Sequence, residues 1–257
     1  MSKVFEALQY AYDKRELEKK EQRSDFPSVI STYTPSYTPS FTSPLPALEM
    51  QDEMARMRQS ISSLLPPPGR NIIQFISSGK GEGTSLIVRE FGMLLAKQNN
   101  KSVLLVDTCP GHADQHQAFH VEPKIPLEST IRHGGSLDLS ISRIPHPQQS
   151  LSLCFLSENH DSNSSTSWLS RDMVPWEPVQ KQFDYILIDS PPISSSHDGL
   201  ALCSLVDGVV LVMEAVHSRS HVVQSSRDKL IESGGNILGI AFNKQKRYIP
   251  DWIYRRL

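Results

Sequence analysis

The sequence contains little cysteine. Its three cysteines, Cys109, Cys154 and Cys203, are far apart and form no CxxC pair. An odd number of widely separated cysteines gives neither a disulfide framework nor a zinc-binding pattern. We therefore expect a protein of a reducing compartment, the cytoplasm, rather than a small disulfide-bonded secreted domain.

The sequence also has no excess of charge of one sign. Acidic and basic residues are interspersed, and the formal net charge is -2. Proteins that neutralise nucleic-acid phosphates present an extended basic face. The charge distribution therefore argues against nucleic acid as a partner.

Long hydrophobic runs are absent as well. The run from Ile237 to Phe242 (ILGIAF) is among the longest, whereas a membrane-spanning helix needs about 20 such residues. The opening residues lack the apolar core and the cleavage site of a secretory signal. We expect no direct membrane span, so a position at the inner face of the cell membrane would depend on a partner.

Composition divides the chain into three parts. An amphipathic helix is predicted over residues 1–22, and a linker rich in Ser, Thr, Pro and Tyr over residues 23–46. Residues 47–257 are predicted to form a globular domain. A helix over residues 48–65 leads into it and ends before the three prolines 66–68, because proline cannot continue a helix.

Short runs dense in Val, Ile and Leu alternate with helix-length segments from residue 71 onward. The runs are NIIQFISS from residue 71, SVLLVD from 102, LSLCFL from 151, DYILID from 184, VDGVVLVME from 206 and NILGIAF from 236. Such runs are typical of strands buried on both faces of a sheet. The predicted fold class is therefore α/β, with a mostly parallel sheet flanked by helices.

A glycine-rich turn joins the first predicted strand to a helical segment. It consists of Gly79, Lys80, Gly81, Glu82, Gly83, Thr84 and Ser85. In this context backbone N–H groups approach phosphate oxygens, and the helix dipole favours negative charge. The full P-loop pattern GxxxxGK[S/T] has lysine where Thr84 stands, while Ser85 is correctly spaced to bind magnesium. These residues are the predicted nucleotide-binding loop. A glycine-rich turn without a ligand is the alternative.

Two aspartates end two of the predicted strands. Asp107 closes VLLVD, and Asp189 closes YILID. The carboxyl edge of an open α/β sheet is where ligands bind, and Mg²⁺ takes one or two carboxylates together with substrate phosphates. Asp107, Asp189 and Ser85 are thus the predicted magnesium ligands. The alternative for each aspartate is a helix N-cap.

These motifs resemble those of the CpsD/CapB-type bacterial tyrosine autokinases, a branch of the ParA/MinD-like deviant Walker P-loop ATPases. The resemblance covers nearly the whole chain. It includes the opening MSKVFEAL, SSGKGEGTS at the P-loop, VLLVDTC at the second Walker segment, FDYILIDSPP at Walker B, PLESTIRHG, FNK from residue 242 and the ending YIPDWIYRRL.

The resemblance implies several functional assignments. Residues 47–257 would be a P-loop NTPase-like domain that binds ATP or ADP with Mg²⁺. Asp107 and Asp189 would be the catalytic residues of an active member, and Asn243 would lie beside the adenine. The partner would be a membrane-bound polysaccharide chain-length or export protein, and the pathway exopolysaccharide or capsule biosynthesis.

This chain departs from the family pattern at charged positions. Thr84 replaces the P-loop lysine, Cys109 the second aspartate of the DADLR segment and Gly111 its arginine. The C-terminal tyrosine cluster is absent, leaving Tyr248 and Tyr254. Loss of one preorganised donor typically lowers a rate by about 10²- to 10³-fold. We therefore expect a regulatory or scaffolding module with impaired or absent kinase activity and with weak or lost Mg·nucleotide binding.

Two other functions stay open, as does a purely structural binding module with an empty pocket. Lys80 could supply the missing charge in an active tyrosine autokinase, or the chain could be a ParA/MinD-like positioning ATPase. Homo-oligomer formation is also open, because the family's ExxRxxR pattern is represented by Asp52, Ala55 and Arg58.

His112, His116 and His120 would share one face of a helix. A metal site there is the less favoured interpretation, and an ordinary helix the favoured one.

Overall fold

The computed structural model describes residues 47–65, 71–98, 101–108, 114–144, 150–156, 176–215 and 218–244. The predictions for the helix at 1–22 and the linker at 23–46 lie outside these residues. So do those for the departures at 109 and 111 and for the C-terminal tyrosines.

A seven-stranded sheet forms the centre of the fold. Its strands are β1 (Asn71–Ser77), β2 (Val103–Asp107), β3 (Ser142–Arg143), β4 (Leu151–Phe155), β5 (Tyr185–Asp189), β6 (Gly208–Glu214) and β7 (Ile237–Asn243). They lie in the order β3-β4-β2-β5-β1-β6-β7. Every neighbouring pair is parallel except β3 with β4. The predicted mostly parallel sheet is confirmed, and the short antiparallel β3 is an addition to it.

Helices cover both faces of this sheet. They are α1 (Ala47–Leu64), α2 (Thr84–Gln98), α3 (Asp114–Phe119), α4 (Leu127–Arg132), α5 (Trp176–Gln180), α6 (Asp198–Leu202) and α7 (Ser220–Glu232). One apolar cluster joins α1 and α2 to the sheet, and two others join α4, α5, α6 and α7 to it. Among the described residues, no helix is both long and apolar enough to cross a bilayer.

Strand periodicity decides which side chains face α2. In β2, Val103 and Leu105 belong to the cluster with α1 and α2, whereas Leu104 and Val106 belong to a cluster on the other face. Because successive strand side chains alternate between faces, Asp107 follows Leu105 to the α2 face. The glycine-rich loop leads directly into α2, so the loop and the Asp107 carboxylate lie on the same face of the sheet.

Helix α1 is packed against the rest of the domain. It contacts α2 and β7, and its Met54 and Ile61, together with Leu65 just beyond its end, are buried in the cluster that contains α2. The helix predicted at 48–65 is therefore present and forms part of the core.

Truncation of Ile61 tests this packing. Ile61→Ala should lower the free energy of unfolding by about 2–4 kcal/mol, because it leaves a cavity beneath α1. Ser62→Ala, at an exposed position of the same turn, should change it by less than about 0.5 kcal/mol. Equal effects of the two variants in chemical denaturation would mean that α1 is not part of the cooperative fold.

Candidate functional site

Sheet register brings the predicted site residues to one edge. Strand β5 lies between β2 and β1, and Asp107 is the register partner of Asp189, which is also paired with Phe75. The glycine-rich loop leaves β1 at this same edge and enters α2 at Thr84. Both aspartates are buried. The predicted strand, loop and helix therefore meet two buried carboxylates, as a P-loop site requires.

Two glycines give the loop its shape. Gly81 and Gly83 have φ of +80° and +89°, the left-handed region that glycine adopts without strain. A Cβ at Gly83 would also collide with the side-chain amide of Asn243. That amide donates a hydrogen bond of 2.9 Å to the carbonyl oxygen of Glu82. Asn243 thus lies against the loop, and its role beside an adenine stays a prediction.

The Glu82 carboxylate is bonded to the loop itself. It is buried and accepts hydrogen bonds from the backbone N–H groups of Ser78 and Gly79, at 2.8 and 3.0 Å. It also accepts one from the hydroxyl of Ser218, at 3.1 Å, which follows β6. The N–H of Gly79, the first loop residue, and that of Ser78 before it therefore bind an internal carboxylate, and Glu82 connects the loop to the segment after β6.

The position of the P-loop lysine is occupied by a short, uncharged side chain. Thr84 is 7% exposed, and its hydroxyl oxygen has no hydrogen-bond partner among the described residues. Ser85 is half-buried beside it, while Lys80 lies exposed in the turn before Gly81. The start of α2 therefore has no ammonium group at the position of the P-loop lysine.

Gln115, on α3, connects the two aspartates to the loop. Its backbone N–H donates to Asp107 Oδ2 at 3.2 Å, and its side-chain amide donates to Asp189 Oδ2 at 2.8 Å. The same amide donates to the carbonyl oxygen of Ser85 at 2.8 Å. Gln115 is fully buried. One oxygen of each carboxylate is thus already bonded to Gln115.

This arrangement tests the predicted magnesium site. Mg²⁺ demands nearly octahedral oxygen coordination and binds through carboxylates and phosphates. Asp107, Asp189 and Ser85 are present at the expected edge, but the Gln115 amide occupies an oxygen of Asp189 and lies against the backbone of Ser85. These residues therefore fit a magnesium ion only if the Gln115 side chain moves away.

Thr108 fixes the end of β5 from the neighbouring strand. Its backbone N–H and its hydroxyl both donate to the carbonyl oxygen of Asp189, at 3.0 and 2.8 Å. On the other side of β5, Ser190 N–H donates to Phe75 O. The backbone that carries Asp189 is therefore held from both neighbouring strands.

The histidine pattern has a structural explanation. His116 is buried, lies edge-on to Phe155, and has no hydrogen-bond partner on either ring nitrogen among the described residues. Burial lowers the pKa of His116 below its ordinary value. His120 is exposed with φ of 53°, beyond the end of α3, and His112 lies outside the described residues. In the described ranges no group of three or more His, Cys, Asp or Glu is arranged to hold a metal ion.

Sequence reasoning missed Gln115 and Ser218. The available signal for Gln115 was its place beside His116, a polar residue in the short helix that follows the Asp107 strand. Ser218 had no comparable signal, because its role depends on how the segment after β6 approaches Glu82.

Comparison with curated proteins identifies bacterial tyrosine kinases. No family model matches the chain. The tyrosine-protein kinase CpsD of Streptococcus agalactiae is 38% identical over 68 residues, which are 26% of this chain and 30% of CpsD. The tyrosine-protein kinase YwqD of Bacillus subtilis is 23% identical over 175 residues, 68% of this chain and 72% of YwqD. The chain thus matches less than a third of CpsD, and its homologues are named tyrosine-protein kinases, as predicted.

Comparison with solved structures identifies the same fold. The kinase domain of the Escherichia coli tyrosine kinase ETK has a TM-score of 0.64 and 16% identity, over 78% of this chain and 79% of the solved kinase-domain chain. The septum site-determining protein MinD of Pyrococcus horikoshii, complexed with Mg-ADP, has a TM-score of 0.54 and 18% identity, over 72% and 76% of the two chains. These likenesses confirm the P-loop fold predicted from the resemblance.

Replacement of Glu82 tests the internal carboxylate. Glu82→Gln should lower the free energy of unfolding by about 1–3 kcal/mol, because an amide cannot accept all the hydrogen bonds that the carboxylate accepts. Glu232→Gln, at an exposed position of α7, is the matched control and should have little effect. Chemical denaturation measures both. A loss no larger than that of the control would mean that Glu82 does not hold the loop.

The neutral state of His116 predicts a dependence of stability on pH. Because the pKa of His116 is lowered in the folded chain from an unfolded value of 6.5, the unfolded chain takes up a proton first as the pH falls. Stability should therefore decrease as the pH falls below 6.5. His116→Phe should reduce this decrease, and His120→Asn should leave it unchanged. Denaturation curves on both sides of pH 6.5 measure it, and identical slopes for all three proteins would contradict the prediction.

Proposed function

We propose that this chain is a nucleotide-binding P-loop module, related to bacterial tyrosine kinases, in which kinase activity is impaired or absent. Its role would be that of a regulatory or scaffolding partner in exopolysaccharide or capsule biosynthesis or export. The observation that carries the proposal is the buried, uncharged Thr84 at the start of α2, where a P-loop has its lysine.

A positive charge at position 84 matters more for phosphoryl transfer than for nucleotide binding. Phosphoryl transfer relies almost entirely on positioning and on cations that stabilise charge spread over the transferred group. Nucleotide binding also uses backbone N–H groups and the N-terminus of a long helix, and the 15-residue helix α2 supplies both. A site with Thr84 should therefore lose rate before it loses affinity.

The proposed ligand is ADP or ATP. The glycine-rich loop would hold the phosphates, with Ser85, Asp107 and Asp189 near any metal, and Asn243 near the adenine. Support comes from the shared fold of MinD, which was crystallised with Mg-ADP. Magnesium would add charge neutralisation where it binds, while the chain's own residues orient the phosphates and exclude water.

The proposed partner is a membrane-bound polysaccharide chain-length or export protein. This rests on the resemblance to the tyrosine autokinases and on the names of CpsD and YwqD. Docking at the inner face of the cell membrane, biased by bound nucleotide, would be the mechanism. Assembly with further copies of the chain is part of the same proposal.

An active autokinase is the second candidate function. The observation that favours it is the exposed Lys80 in the loop, whose long side chain could supply an ammonium group. The shared fold with MinD similarly keeps a positioning ATPase as a candidate. Either would release ADP or phosphate during incubation with Mg·ATP, and only the autokinase would acquire phosphotyrosine.

Calorimetry with ATP and ADP in the presence of MgCl₂ tests the proposal. The natural chain should bind both, with no phosphotyrosine and no phosphate release on incubation. Thr84→Lys should bind at least about tenfold more tightly, because a charge-assisted hydrogen bond contributes about 1.5–3 kcal/mol. Thr84→Met is the matched control, since its side chain is long but uncharged, and it should not gain affinity.

The other outcomes separate the candidates. Phosphotyrosine on the natural chain, lost in Lys80→Ala, would establish the autokinase instead. Binding only after Thr84→Lys would mean that the natural pocket holds no nucleotide, so nucleotide-biased docking would be wrong and a structural module would remain.

A further inference from the structure

The side-chain amide of Gln115 lies between an oxygen of Asp189 and the backbone of Ser85, at the sheet edge where the predicted site residues meet. It donates to Asp189 Oδ2 and to the carbonyl oxygen of Ser85, both at 2.8 Å. The backbone N–H of the same residue donates to Asp107. A fully buried residue thus donates to both aspartates that the sequence assigns to magnesium, while its third contact is with the backbone of Ser85 and not with the Ser85 hydroxyl.

The orientation of this amide follows from the chemistry of its neighbours. Arg89, on α2, donates from Nε to the Gln115 amide oxygen at 3.3 Å. A guanidinium group only donates hydrogen bonds, and a carboxylate and a backbone carbonyl only accept them. The amide must therefore turn its oxygen to Arg89 and its NH₂ group to Asp189 and Ser85. Arg89 is a positioning residue for Gln115.

An NH₂ group in this place does part of what a cation does. It presents partial positive charge to a buried carboxylate and to a carbonyl oxygen, and buried polar groups need such partners. The neutral Gln115 side chain therefore satisfies a carboxylate oxygen of Asp189 that a magnesium site would direct at the ion or at its bound water.

We propose that Gln115 takes the place of the metal ion in this site, so that nucleotide is bound without Mg²⁺. The inference deepens the proposed function and rests on it for the nucleotide. It assigns Gln115 as the residue that sets metal preference, with Arg89 holding its amide in place. Displacement of this amide is what metal binding would require.

The metal dependence of ADP binding tests the inference. The natural chain should bind ADP with affinities that differ by less than about twofold between MgCl₂ and EDTA. Gln115→Ala removes the amide and opens its space to an ion. Its affinity should rise at least about tenfold on adding MgCl₂, in the range found when groups around a metal site are changed. Gln117→Ala, exposed on the same helix, should behave like the natural chain.

A second measurement needs no nucleotide. Gln115→Glu places a third carboxylate beside Asp107 and Asp189, and affinity for a divalent cation depends on the number of charged ligands. Titration with MnCl₂, followed by electron paramagnetic resonance of the free ion, should detect binding at least about tenfold tighter than in the natural chain. Gln117→Glu adds the same charge at an exposed position and should show no such gain. Thermal melts establish that each variant is folded.

The results distinguish failure of this inference from failure of the proposed function. Strongly magnesium-dependent ADP binding by the natural chain would overturn the role of Gln115. So would Mn²⁺ binding by the natural chain as tight as by Gln115→Glu, or no gain in that variant. If the natural chain does not bind ADP, the proposed function fails whether or not Thr84→Lys restores binding, and the MnCl₂ titration still decides whether Gln115 occupies a cation position.

Discussion

The pairing of β2 with β5 is the constraint on which the site depends. Parallel register makes Asp107 and Asp189 direct partners, and neighbouring strands lie only about 4.8 Å apart. Two buried carboxylates on neighbouring strands have lost their hydration, and they repel each other when both are ionised. The surrounding structure must therefore supply donors. Gln115 donates to both aspartates, and Thr108 fixes the backbone of Asp189.

The glycine-rich loop also contains a buried carboxylate that needs hydrogen-bond donors, and here the donors are mainly backbone N–H groups. Glu82 brings a third buried carboxylate to this edge, and the loop's own N–H groups and the Ser218 hydroxyl satisfy it. With Thr84 in place of lysine, the loop relies on backbone dipoles for its positive potential. Such dipoles attract an anion, but they do not move with a transferring phosphoryl group as a flexible lysine does. The proposed function, holding phosphates rather than transferring them, is consistent with this lack of a lysine.

The sequence predicted the elements whose cause is local. Strands buried on both faces need continuous Val, Ile and Leu, so β1, β2, β4, β5, β6 and β7 were recognisable. The aspartates at strand ends were recognisable because parallel strands share a carboxyl edge. The contacts of Gln115 could not be recognised from the sequence, because they depend on where α3 lies against α2. The spacing of the histidines presumes one continuous helix, whereas α3 ends at Phe119 and His120 has positive φ.

A site completed by its own side chains differs energetically from one completed by ligands. A protein whose carboxylates need a bound cation gains stability with ligand concentration and loses it when the ligand leaves. Here Gln115 already donates to Asp107 and Asp189, and Glu82 already occupies the N–H groups of Ser78 and Gly79. The folded state therefore needs less from nucleotide or metal to stay intact. That property suits a module whose proposed task is to remain docked on a partner, because its surface persists when nucleotide is absent. An enzyme would gain little from this internal hydrogen bonding. The bonds of Gln115 would have to break before a metal ion and the phosphates of a nucleotide could occupy the site.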